Sequence, residues 1–209
     1  MTKFSGDPDF EYELAIRRGD VRRLATLAKL KVTPCNTAIL LALTHGKPEL
    51  IRPLAEAGAD VNGANEYGET PLCRAVKECE IGVVEELLQL GANLEKESLM
   101  SKPLTQAVVL GQMEKVELLL RYGANPNAHQ STGTTALLEA TRYGYSQIAR
   151  LLLDHGANPR DRGLDGIDAT QLAERANRED LVILYATRRL DGNAPKPRTS
   201  NHRASRPKR

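Results

Sequence analysis

Thr70-Pro71-Leu72-Cys73-Arg74-Ala75, followed by Leu87-Leu88-Gln89-Leu90-Gly91-Ala92-Asn93, is the stretch whose reading decides the fold. Its closing triplet recurs. Gly58-Ala59-Asp60, Gly91-Ala92-Asn93, Gly123-Ala124-Asn125 and Gly156-Ala157-Asn158 stand at intervals of 33, 32 and 33 residues. Nineteen residues before each glycine is an aliphatic residue (Ile39, Leu72, Leu104, Leu137), and sixteen before each is an alanine (Ala42, Ala75, Ala107, Ala140). Two independent landmarks thus keep one register, and a fixed period of this length marks stacked structural repeats.

Each unit reads as two short helices and a turn. Leu72, Ala75 and Val76 lie three or four apart on one helical face, as do Val83, Val84, Leu87 and Leu88 after a break at residues 79–82. Gly91 supplies the left-handed residue that ends the second helix without a Cβ penalty. The first-helix alanine is small because adjacent helix layers approach closely, and a larger side chain would hold them apart. No unit buries both faces alone, so the continuous core comes from stacking.

These residues resemble the ankyrin repeat, whose signature is a period of about 33 residues with T-P-L-H-x-A. The other units give Thr37-Ala38-Ile39, Lys102-Pro103-Leu104 and Thr135-Ala136-Leu137 at the same place, and the resemblance covers roughly residues 8–191. It implies an all-α repeat solenoid of stacked helix-turn-helix units with hairpin loops, capped at both ends. The signature histidine is replaced by Leu40, Cys73, Thr105 and Leu138, so its hydrogen bonds to the turn are missing and moderate stability is expected. The expected organisation is a flexible N-terminus (1–7), a truncated capping repeat (8–33), four repeats (34–160), a polar C-terminal capping repeat (161–191) and a disordered basic tail (192–209). Pro, Ser, Asn and basic residues replace all periodicity in that tail, a composition that cannot repay ordering entropy.

The chain has 209 residues, with 29 basic and 27 acidic side chains leaving +2 overall. That total hides an asymmetry. Lys196, Arg198, Arg203, Arg206, Lys208 and Arg209 are six tail cations without an acid, so 23 basic against 27 acidic residues give the rest −4. At 41% hydrophobic the chain can form a packed core. Its apolar stretches are too short to cross a bilayer and its start lacks a signal-peptide core, so a cytosolic address is expected, with nuclear or secreted-effector settings as alternatives. Three cysteines (Cys35, Cys73, Cys79) without zinc spacing read as free, mostly buried thiols.

No catalytic constellation is present: no phosphate loop, no His-Glu-x-x-His, no paired Cys-x-x-Cys and no serine elbow. Neither cofactor nor metal is expected. Asp161, Asp165 and Asp168 lack calcium-loop spacing; Asp168 reads as a helix N-cap and Asp165 as a turn residue. His45, His129, His155 and His202 are scattered, with His155 in the last turn of a second helix, where it offsets the helix dipole.

Function is therefore expected in a surface. Resemblance to the ankyrin family places partner contacts on hairpin tips and on the exposed side of each first helix. That gives Glu66, Tyr67, Glu69, Lys77 and Glu78 in the second unit, and Ser98, Leu99, Met100, Ser101, Val109 and Leu110 in the third. Ser131, Thr132, Thr134, Arg142 and Tyr143 follow in the fourth, and Leu164, Asp165 and Ile167 in the cap. The candidate partner-binding set is Tyr67, Lys77, Leu99, Met100, Val109, Leu110, Arg142 and Tyr143. Met100 stands where the other tips have glycine, so Leu99 and Met100 equally fit an inward, core-filling arrangement. Tyr122 and Tyr185 read as second-helix packing residues, and Tyr145 as a cover for the core. The expected function is a non-enzymatic, monomeric adaptor, scaffold or inhibitor with a protein partner. The alternatives are nucleic-acid or nuclear-import association through the tail, and a secreted effector or recruitment subunit.

Overall fold

The computed structural model describes residues 8–30, 32–98 and 101–190. Its helices come in pairs: α1 (Pro8–Arg18) and α2 (Val21–Lys29); α3 (Ala38–Thr44) and α4 (Ile51–Glu56), the latter entered through a 3-10 turn (Pro48–Leu50). Then follow α5 (Pro71–Glu78) and α6 (Ile81–Gln89), α7 (Pro103–Val109) and α8 (Met113–Arg121), α9 (Ala136–Tyr143) and α10 (Ser146–Asp154), and α11 (Ala169–Arg175) and α12 (Glu179–Leu190). The first helices stack in chain order, α1 on α3, α5, α7, α9 and α11 in turn. Behind them α2 packs on α4, and α6, α8, α10 and α12 pack consecutively. The result is the all-helical solenoid that the period dictates.

The landmarks do what their chemistry requires. Ala42, Ala75, Ala107 and Ala140 are 0% exposed at the first-helix contacts. Gly91 has φ +89°, its amide donates to the Leu88 carbonyl and the Ala92 amide to the Leu87 carbonyl, a paired C-terminal cap that releases the chain into the hairpin. The hairpins are short. The Asn65 amide donates to the Glu69 carbonyl, the Gln130 amide to Thr134 and the Gly163 amide to Ile167, whereas Ser98 and Ser101 exchange both bonds across one residue fewer. Three of these four hairpins end in a side-chain helix cap: Thr70 and Thr135 hydroxyls accept from the Cys73 and Leu138 amides, and Asp168 forms a reciprocal capping box with Gln171, whereas Lys102 before α7 supplies no such bond.

Three expectations need correction. Gly82 lies inside α6 rather than in the break, which is confined to Cys79 and Glu80. Tyr122 ends α8 with its side chain exposed, while Tyr185 is buried as expected. The difference follows from position: Tyr122 is a C-cap at the helix end, whereas Tyr185 lies mid-helix and faces α9. Cys73 is buried, but Cys35 and Cys79 are only half-buried.

Candidate functional site

The stacking of α5, α7 and α9 turns a sequence register into rows on one surface. Lys77, Val109 and Arg142 each stand fourteen residues before the glycine that closes their unit, and Leu110 and Tyr143 thirteen before theirs. Lys77 is exposed and its ammonium lies 3.4 Å from Glu78. Val109 is half-buried. Arg142 is exposed and donates from Nη1 to both oxygens of the buried Glu139, at 3.1 and 3.3 Å. Leu110 and Tyr143 end their helices with 44% and 46% of their surface open. Such side chains cost nothing to fold around and release water when a partner covers them.

Tyr143 is held in place by its neighbour. Its ring stacks on Tyr145, with centroids 5.7 Å apart and planes inclined by 15°. Tyr145 in turn packs against the core and lies over the loop of the preceding unit, where a β-carbon on Gly111 would come within 3.3 Å of its ring. The pair is a rigid aromatic ledge at the edge formed by the inter-helix loops, and rigid aromatics make economical contact surface.

The eight sequence-derived residues do not form one patch. Tyr67 is 68% exposed on the hairpin tip before α5, its amide bonded to Asn65 Oδ1 at 3.0 Å. Leu110 and Tyr143 lie at the other end of the first-helix layer, ~11 Å away along the helix axis and one and two helix spacings of ~8–10 Å across the stack. Lys77, Val109, Leu110, Arg142 and Tyr143 occupy equivalent places at the C-terminal ends of stacked first helices, with the Arg142 side chain turned back to Glu139 and the hairpin-side cavity, and Tyr67 belongs to the opposite edge. Leu99 and Met100 lie outside the described residues, as do Lys196, Arg198, Arg203, Arg206, Lys208 and Arg209.

Further residues named from the resemblance prove to be structural. Glu69 is buried, 2.7 Å from Arg74, whose other arm reaches Glu78 at 2.9 Å. The Arg74 hydrogen bond also holds the Glu78 carboxyl below its ordinary pKa. Thr134 is likewise buried, and Ser98 is closed off in its hairpin. Conversely, Ile81 and Met113 escaped the sequence reading, because each opens a second helix rather than ending a first one. Ile81 is exposed and Met113 half-buried on the inter-helix-loop edge. The only signal was an apolar residue at the equivalent helix start of two successive units.

Leu164, 84% exposed, overhangs Gly133 and closes one side of a cavity of about 190 Å³ between the Gln130–Thr134 and Gly163–Ile167 hairpins, which Leu138, Ile167 and Arg142 also line. No group of three or more His, Cys, Asp or Glu side chains is placed to hold a metal among the described residues. No helix among them is long and apolar enough to cross a membrane.

Comparison with known proteins agrees with this architecture. A family model described as ankyrin repeats, in three copies, matches residues 13–98 and 95–163. The B-cell lymphoma 3 protein homolog of Mus musculus is 31% identical over 171 residues, covering 77% of this chain and 37% of the relative. The ankyrin repeat, SAM and basic leucine zipper domain-containing protein 1 of Echinops telfairi is 33% identical over 124 residues, covering 56% of this chain and 26% of that protein. The matched region therefore spans 37% and 26% of the length of these two relatives. An ankyrin repeat domain from Acinetobacter baumannii, solved as a crystal structure, superposes with a TM-score of 0.75 at 27% identity, covering 86% of this chain and 97% of that one. With its period, helix stacking and family match in agreement, the chain belongs to the ankyrin repeat family, whose stacked units are a protein–protein interaction module.

Proposed function

We propose that the chain is a non-enzymatic adaptor, scaffold or inhibitor that binds a partner protein through the first-helix ends of its second to fourth units. The observation that carries this reading is the exposed pair Leu110 and Tyr143, at equivalent ends of the stacked helices α7 and α9, with Lys77, Val109 and Arg142 at the preceding position of the three units. An apolar centre with charged flanks has the composition of a binding hot spot. Tyr67 on the hairpin edge serves as a separate, secondary contact. A cytosolic setting and a monomeric chain go with this reading.

The test is affinity purification with the intact chain and with a Leu110→Asp/Tyr143→Ala variant whose helicity matches the wild type by circular dichroism. Loss of a defined protein from the variant supports the surface. Equal recovery of every wild-type partner removes it.

A further inference from the structure

A second surface feature lies behind the first, where the helix starts of units two and three meet. Glu80, Ile81, Gln112, Met113, Glu114 and Lys115 line a groove of about 590 Å³ between the N-terminal ends of α6 and α8. Ile81 and Met113 give it apolar walls, and the exposed Glu80 and Glu114 stand at its rim with no ion pair among the described residues. Lys115, the one cation in the lining, does not offset them at the mouth. It is 8% exposed, and its ammonium turns away to donate a 2.7 Å hydrogen bond to the Val76 carbonyl at the end of α5. The outer faces of the same two helices add Glu85 and Glu117. The groove is thus apolar inside, with two unpaired carboxylates at its opening.

The complementary charge is in the same chain. Residues 192–209 carry six basic side chains and no acid. Their apolar content is confined to small residues and proline, so the long stems of arginine and lysine are the part that can lie against Ile81 and Met113 while the heads reach carboxylates. The distance is compatible. The tail follows α12, which rises ~18 Å from the loop edge over its length. The groove lies two to three helix spacings away, ~20–30 Å. The path is therefore roughly 30–35 Å, against a contour of about 45 Å for the 14 residues from Leu190 to Ala204. Lys196 is too near the anchor to reach, whereas Arg203, Arg206, Lys208 and Arg209 are not. Tethering supplies an effective concentration in the millimolar range, enough to populate contacts that are weak when exposed and unlinked.

We propose that the Arg203–Arg209 end of this chain docks intramolecularly in the groove between α6 and α8, with its cations at Glu80 and Glu114. Partner binding at Leu110 and Tyr143 does not depend on it.

The experiment keeps the full chain. Ala204→p-benzoylphenylalanine leaves every charge in place, and irradiation followed by peptide mapping reads what the tail touches. Crosslinks to Met113 and Ile81, in the monomer-mass product, are expected. They should fall by about tenfold in 0.5 M salt and in a Glu80→Lys/Glu114→Lys variant, while Glu49→Lys/Glu56→Lys, with the same change in net charge on α4 and its entry turn, leaves them intact. Crosslinks elsewhere on the chain, crosslinks in a dimer-mass product, or indifference to the Glu80 and Glu114 reversal would each overturn the assignment. Circular dichroism of every variant checks the fold.

Discussion

The hydroxyl of Tyr185 in α12 meets that of Thr141 in α9 at 2.5 Å, across 44 residues of sequence. Thr141 spends its own proton on the Leu137 carbonyl at 2.7 Å, so Tyr185 is the donor. Both side chains are buried, and this bond fastens the last helix pair to the fourth unit.

Burial pushes the Tyr185 phenol up to about 12, only partly offset by Thr141. The folded state therefore holds this proton more tightly than the unfolded chain. The stability it contributes is complete below pH ~10 and is lost as pH rises to ~12, about 2–3 kcal/mol over that window. Tyr185→Phe should flatten this part of the alkaline stability profile measured by urea unfolding, because no proton remains to be lost and Thr141 keeps its bond to Leu137. A variant that retains the full wild-type slope between pH 10 and 12 would assign it to other groups.

Gly63 marks a close approach between successive hairpins. A β-carbon there would lie 1.5 Å from the Asn36 carbonyl oxygen, a backbone atom with no rotamer by which to retreat. Gly63→Ala should cost about 1–3 kcal/mol, the usual range for overpacking, and should loosen the contact between the first and second full repeats. Thermal or urea denaturation checks the loss, and hydrogen exchange in α3 and α4 checks its location.

The capping box at Asp168 fixes the start of α11. Asp168→Ala removes the acceptor for the Gln171 amide and should destabilise the chain by about 1 kcal/mol. Asp168→Asn keeps an acceptor and should recover most of that loss in the same denaturation assay.

The readable residues each answer to one local rule: glycine for left-handed backbone, alanine for close helix approach, aspartate for a cap. Gly91, Ala75 and Asp168 are such positions. Lys115 is different. Its sequence setting on an amphipathic helix is that of a solvated charge, yet stacking buries it and hands it an α5 carbonyl from 39 residues away. Burial correspondingly lowers its pKa. Glu69 was read as exposed for the same reason, since its Arg74 partner becomes visible only when the hairpin folds over α5. The candidate site was legible as residues and not as a surface. Register puts Leu110 at the same place as Tyr143 in its unit, but which end of a helix faces which edge separates Tyr67 from both.

The central claim is that Leu110 and Tyr143 form the main partner contact. Its most direct measurement is the Kd of the protein recovered by the intact chain, determined for purified wild type, Leu110→Asp/Tyr143→Ala and Tyr67→Ala. The prediction is a loss of at least about tenfold for the double variant and a smaller loss for Tyr67→Ala on the opposite edge. Unchanged affinity of a correctly folded double variant would contradict it.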